Sequence, residues 1–172
     1  EPGDRWFNTG DLIRQIDVGF AMGLPHFQFV DRVGDTFRWR AENVSTNEVG
    51  EILNACEQIE ISNVYGVEVP GVEGRAGMAA ITLKDGIQFD SEAFSLYTHR
   101  ELPSFACPVF VRIEKEQDTT GTFKLVKGQL KREAFHLDQI NQPIYIKKPN
   151  SNEYELLDQA FYAQILAGKS GF

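Results

Sequence analysis

Three short stretches carry side chains suited to chemistry on a phosphate-bearing ligand. In "NTGDL" (8–12) a Thr-Gly-Asp turn presents the carboxylate of Asp11 beside a tight backbone bend. A carboxylate held this way accepts two hydrogen bonds from a vicinal diol such as that of ribose. In "DRVGDTFRWRAENVS" (31–45), Arg32, Arg38 and Arg40 interleave with Phe37 and Trp39. Guanidinium groups match phosphate oxygens two at a time. In "TTGTFKLVKGQLKR" (119–132), Lys124 follows a Thr/Gly-rich turn, and Lys127, Lys131 and Arg132 follow it with no acidic residue between. A cation fixed at such a turn can meet negative charge developing on a phosphate and a carboxylate together.

Each stretch also has a plain structural explanation. Gly and Asp are default turn residues. Aromatics pointing inward and arginines pointing into water describe many hairpins. A basic stripe at helical spacing describes many solvated helix faces. Neither GxxxxGK[ST] nor GxGxxG occurs, so a nucleotide must be held by another device.

Composition narrows the classes. The 172 residues carry a formal net charge of -8, against the basic face a general nucleic-acid binder needs. Clustered charge can still build a local phosphate site, because fields are set locally. With 42% hydrophobic residues and 13 Phe, the chain can bury a core. Cys56 and Cys107 are far apart, each beside apolar residues, and His26, His99 and His136 are scattered. Buried free thiols are expected, with no metal cluster and no disulfide. No apolar run is long enough to span a membrane. The opening "EPGDRWFNTGDL" reads as strand and turn already in progress, so the chain is expected to be a piece of a longer protein.

The elements that must position these groups follow from periodicity. Residues 5–31 read as short strands and turns. Residues 27–45 read as two strands around a turn at Val33-Gly34-Asp35. "STNEVGEILNAC" (45–56) reads as a helix. Ser45 and Glu48 form its capping box, and Val49, Ile52, Leu53 and Cys56 line one face. Strands are expected over 61–69 and 75–84, and a helix over 90–102 that Asp90 or Ser91 caps and Pro103 ends. A strand over 108–115 turns Val109, Val111 and Ile113 to one face. Residues 124–135 read as a helix, with Val126, Leu130 and Ala134 on one side and Lys124, Lys127 and Lys131 on another. The tail from about 136 holds a strand, "PIYIKK", and a final helix around 155–167.

In order, "WFNTGDL", "FVDRVGDTFRW..ENVSTNEV", "GRAGMAAI" and "TGTFK" resemble the carboxy-terminal part of the adenylate-forming (acyl-CoA synthetase) enzymes. Within that superfamily the resemblance is to the very-long-chain acyl-CoA synthetase and fatty acid transport protein branch. It runs from about residue 4 to about 135. The implied fold is α+β: a small mixed sheet with flanking helices and a leading β-hairpin segment, the mobile carboxy-terminal domain. Residues 1–31 would be the end of a large preceding AMP-binding domain, and 32–172 the mobile domain.

The resemblance implies a two-step reaction, in which a fatty acid and ATP give an acyl-adenylate and CoA then gives the thioester. Position by position, Asp11 matches the aspartate that binds the ribose hydroxyls. Arg32 matches the arginine that contacts the nucleotide near ribose and phosphate. Gly34 falls at the hinge, and Lys124 matches the lysine that bridges the carboxylate and the α-phosphate. Ala41, Glu42 and Asn43 fall in the loop expected to line the CoA channel. Many relatives have Gly where this chain has Ala41, and an added methyl narrows such a channel. The substrates implied are a fatty acid, ATP with Mg²⁺, and CoA, with no resident metal in this part. The implied partners are the chain's own amino-terminal domain and no nucleic acid, and the implied location is cytoplasmic with peripheral membrane association. Another adenylating ligase, with an aryl or amino acid substrate, and a non-catalytic synthetase-like module are the alternatives.

Overall fold

The computed structural model describes residues 10–19, 23–32, 36–115 and 127–172. A two-stranded ribbon comes first: β1 (Asp11–Ile16) pairs antiparallel with β2 (His26–Arg32). A second ribbon joins β3 (Phe37–Trp39) to β4 (Glu42–Val44). The main body is a mixed five-stranded sheet of β5 (Ile59–Val67), β6 (Ala76–Leu83), β7 (Phe110–Glu114), β8 (Ile144–Lys147) and β9 (Tyr154–Leu156), in that spatial order. β6 and β7 run parallel, as a strand–helix–strand crossover requires, and the other neighbours run antiparallel.

Four helices complete the described residues: α1 (Thr46–Asn54), α2 (Ser91–Glu101), α3 (Gly128–Glu133) and α4 (Gln159–Leu166). Capping explains three of their starts. Ser45 Oγ accepts from the Glu48 amide at 3.3 Å, Asp90 Oδ1 from the Ala93 amide at 2.9 Å, and Asp158 Oδ1 from the Phe161 amide at 2.7 Å. α1 buries Val49 and Leu53 against the sheet, and Ser62 Oγ donates to the Gly50 carbonyl at 3.1 Å. α2 docks beside it, with Tyr97 Oη donating to the Ile52 carbonyl at 2.7 Å. The other sheet face is covered by the chain after α3 and by α4: Phe135 stacks on Phe110 at 4.5 Å and meets Tyr162 edge-on.

The α+β class with flanking helices agrees with the sequence reading, and both thiols are buried and free. Two expectations need correction. The hairpin around residues 33–35 does not form, because β2 takes β1 as its partner and β3 takes β4. Strand β7 forms as read, with Val111 and Ile113 on one face, and its other face is buried as well. Phe110 and Arg112 are as buried as Val109 and Val111, since β7 lies inside the sheet with both faces covered. The final helix begins only at Gln159, because Tyr154–Leu156 form an edge strand that aligns Tyr145 with Leu156. No helix among the described residues is long and apolar enough to cross a membrane.

Candidate functional site

Asp11 opens β1 directly after Gly10, whose φ of 72° makes the turn that releases the strand. Arg32 closes β2, and the ladder register places Asp11 opposite Arg32. A bulge follows at once. Leu12 pairs with Asp31 and Ile13 with Phe29, so Val30 is passed over and the end of the ribbon twists away from the rest. Two candidates separated by 20 residues of sequence are therefore cross-strand neighbours. The Asp11 side chain is exposed.

Ala41 sits in the two-residue loop between β3 and β4. Arg40 and Ala41 have φ of 50° and 69°. Positive φ at both central residues is the signature of the hairpin turn whose twist suits the flanking strands, and Asn-Gly is its usual sequence. Here it costs about 1–2 kcal/mol for each non-Gly residue. The surroundings hold it in place. Trp39 is buried, meets Phe172 edge-on at 6.2 Å, and carries the Arg40 guanidinium 5.7 Å from its ring centre. The Arg75 amide donates to the Arg38 carbonyl at 2.7 Å. Gly74 makes that approach possible: its φ is 89°, and a Cβ there would stand 2.4 Å from the Arg38 oxygen. Glu42 and Asn43 follow on β4 with exposed side chains.

Beside this hairpin lies a cleft of about 270 Å³, lined by Trp39, Arg40, His99, Cys107, Lys147 and Phe172 among others. Arg40, Lys147 and Lys148 bring positive charge to it, and among the described residues no Asp or Glu side chain lines it. Lys148 also pairs with Glu155 at 3.2 Å. Burial pushes the Cys107 thiol pKa up, against the neighbouring Lys147, which lowers it. The thiol therefore stays protonated, lying 3.6 Å from the Thr98 carbonyl. Sequence reasoning named Arg40 among the interleaved arginines but did not select Lys147. Nothing local to "PIYIKK" reveals that its first lysine reaches a hairpin more than a hundred residues earlier.

Lys124 and Gly34 lie outside the described residues. The flank of Lys124 corrects one expectation. Residues 124–135 do not form one described helix: α3 runs from Gly128 to Glu133, with Lys127 as its cap residue and Ala134 leaving it at φ 47°. Nor is Lys127 on a wet face. Its Nζ donates to Thr46 Oγ1 at 2.9 Å, and Thr46 is buried at the start of α1. Spacing within one helix could not show that a different helix N-terminus supplies the acceptor. Leu130 is half-buried and Ala134 buried, as the apolar side was read, and Arg132 is exposed. Among the described residues no group of three or more His, Cys, Asp or Glu is placed to hold a metal ion.

A family profile described as "AMP-binding enzyme C-terminal domain" matches residues 48–124. "Long-chain fatty acid transport protein 6" of Mus musculus is 44% identical over 165 residues, covering 96% of this chain and 26% of that protein. "Medium/long-chain-fatty-acid–CoA ligase FadD6" of Mycobacterium tuberculosis is 44% identical over 144 residues, covering 84% of this chain and 23% of that protein. The solved O-succinylbenzoate coenzyme A synthetase of Bacillus subtilis, in complex with AMP, superposes with a TM-score of 0.62 at 21% identity. That match covers 73% of this chain and 24% of the synthetase, and at such identity the likeness is one of fold. The chain spans about a quarter of the length of the curated relatives it matches.

Proposed function

Since this chain belongs to the adenylate-forming superfamily, as its carboxy-terminal part, we propose that it supplies the moving domain of an ATP-dependent fatty acyl-CoA ligase. In the first step a fatty acid carboxylate oxygen attacks the α-phosphorus of ATP. The bond to the β-phosphate breaks, and pyrophosphate leaves with Mg²⁺. In the second, the sulfur of CoA attacks the acyl carbon, the carbon–oxygen bond to AMP breaks, and the thiol proton passes to water. A large amino-terminal domain would supply the acid tunnel and most contacts to the triphosphate.

Each residue has one task in this scheme. The Asp11 carboxylate accepts hydrogen bonds from the two ribose hydroxyls. Arg32 meets the nucleotide beside it, where a planar guanidinium suits phosphate oxygens. Lys124 supplies positive charge between the attacking carboxylate and the α-phosphate, where charge develops in the transition state. Gly34 is the hinge near the start of the mobile domain, residues 32–172, about which that domain turns between steps. The hairpin carrying Ala41, Glu42 and Asn43 then lines the way in for CoA. The cationic cleft next to it suits the phosphate-bearing end of CoA, because Arg40 and Lys147 line it.

The observation that carries this reading is the Asp11–Arg32 register: the ladder joins the two nucleotide-binding candidates at one end of one ribbon. The relatives named as a fatty acid transport protein and a fatty-acid–CoA ligase support the acid class. The test is fatty-acid-dependent exchange of labelled pyrophosphate into ATP by the intact protein, compared with this chain alone. The intact protein should exchange and the chain alone should not. Robust acyl-CoA formation by the chain alone, or exchange driven by aryl or amino acids and not by fatty acids, would overturn it.

A further inference from the structure

Close glycine contacts and one aromatic ring bring the last described residues back to the β3–β4 hairpin. α4 ends in a glycine turn. The Gly168 amide donates to the Ile165 carbonyl and the Lys169 amide to the Gln164 carbonyl, both at 2.9 Å, with Gly168 at a φ of 67°. This paired closure fixes the direction in which the chain leaves the helix. The tail then crosses the β5–β6 loop backbone to backbone. A Cβ on Gly71 would stand 3.2 Å from the Gly168 Cα and from its carbonyl oxygen. Ser170 is buried, and Gly171 turns beside Pro149 with a φ of 77°. Phe172 then comes between two rings. Its centroid is 6.2 Å from that of Trp39 and 6.3 Å from that of Phe110.

A ribbon of three residue pairs does not hold its shape alone in water, so the hairpin takes its orientation from what it packs on. At its base, Phe37 lies so close to β5 and β6 that a Cβ on Gly66 would be 2.6 Å from it and one on Gly77 3.1 Å. In the middle, the Arg75 amide holds the Arg38 carbonyl at 2.7 Å. At the turn end, Trp39 meets Phe172 edge-on, directly before the left-handed Arg40 and Ala41. The β5–β6 loop serves both partners, with Gly74 against Arg38 and Gly71 against Gly168. Tail and hairpin are therefore joined through one loop and through one ring pair.

Phe110 anchors the far side of that ring bridge. It is fully buried in β7 and stacks on Phe135 at 4.5 Å. Phe172 itself is half-buried, and it lines the cationic cleft with Trp39, Arg40 and Lys147. A half-buried ring removes less apolar surface from water than the rings of the core do. Its larger effect is geometric: it carries the fixed position of Phe110 across to Trp39, and Trp39 adjoins the turn.

We propose that Phe172 is a positioning residue for the thioester step, and that it sets the Arg40–Ala41 turn and the adjoining wall of the cleft through Trp39. The inference rests on the reading given above, in which this hairpin and cleft receive CoA. Adenylation does not use CoA, so that half-reaction is spared when the ring is lost.

The test is Phe172→Ala in the intact protein. It is run beside Phe172→Tyr, which keeps the ring, and Phe172→Leu, which keeps apolar bulk without it. Conversion of supplied acyl-adenylate to acyl-CoA at varied CoA, fatty-acid-dependent ATP–pyrophosphate exchange, and thermal melting are measured side by side. Phe172→Ala should raise KM for CoA about fivefold or more, with exchange within about twofold of the unsubstituted protein. Phe172→Tyr should bring KM for CoA back to within about twofold. Phe172→Leu should show a smaller rise, and it carries the test where the alanine variant does not fold. An unchanged KM for CoA, whatever the melting temperature does, would overturn the proposal. So would an equal fall in both half-reactions. Ala41→Leu, which adds bulk at the turn itself, separates this inference from the reading beneath it. If Ala41→Leu raises KM for CoA and Phe172→Ala does not, the inference alone fails. If neither moves it, the CoA reading of the hairpin fails as well.

Discussion

Asp11 and Arg32 stand opposite each other in the β1–β2 ladder, the first residue of one strand against the last of the other. The bulge beside them makes this end of the ribbon a distinct platform. If the platform holds ribose, Asp11→Ala removes two acceptors for hydroxyl donors. Hydrogen bonds to a charged group are worth about 1.5–3 kcal/mol each in favourable cases. KM for ATP in the intact protein should rise about 10–100-fold, with the acyl-adenylate-to-thioester step little changed. An unchanged KM for ATP would remove Asp11 from the nucleotide site.

The Arg40–Ala41 loop stores backbone strain that Gly would relieve. Ala41→Gly should stabilise the chain by about 0.5–1 kcal/mol, the left-handed penalty less the extra freedom Gly brings to the unfolded state. It should also lower KM for CoA if this loop lines the CoA path. A lower melting temperature, measured by calorimetry, would contradict the strain argument.

Gly74→Ala acts on the same hairpin from outside. The new Cβ would meet the Arg38 carbonyl, which the backbone cannot yield without losing the bond from the Arg75 amide. A loss of about 3 kcal/mol is expected, near the top of the range for enforced backbone strain. Chemical denaturation should show a lower midpoint. No change would mean that the hairpin docks less tightly than 2.4 Å implies.

How much of this was legible in the sequence differs from element to element. α1 could be read from its cap and its apolar spacing, because both are local and both are used as they stand. The buried second face of β7 could not be read, since alternation reports the faces of a strand only when one meets water. The β3–β4 turn was hidden because Arg-Ala is no turn signal; its positive φ values are imposed by Trp39 and Gly74, not chosen by Arg40 and Ala41. The pairing of Asp11 with Arg32 was foreseeable only as a shared role, and its register is a long-range fact. The Lys127–Thr46 contact joins residues 81 apart.

That contact gives a further prediction. Thr46→Val keeps the shape and removes the acceptor for the Lys127 ammonium. Stability should fall by about 1–2 kcal/mol, which in a chain of this size is a few degrees of melting temperature. An unchanged melting temperature would mean that the contact contributes nothing to stability.

Acid stability should reflect Glu133. Its folded pKa is depressed while its unfolded pKa is about 4.3. The stabilisation it contributes is therefore present above the unfolded value and lost as pH falls through the folded one. Glu133 is partly screened, so the effect is modest. Glu133→Gln should flatten the acid limb of a stability–pH curve below about pH 4 and leave its shape near neutrality unchanged. An acid limb of the same slope in both proteins would contradict the ion pair of Glu133 with Arg112.

The most direct measurement on the central claim compares two half-reactions in Lys124→Ala of the intact protein. One assay starts from fatty acid and follows ATP–pyrophosphate exchange, and the other starts from acyl-adenylate and follows thioester formation. The adenylation role predicts that exchange falls by about 100-fold or more while the second rate stays within about threefold. An equal loss in both assays, or no loss in the first, would contradict it.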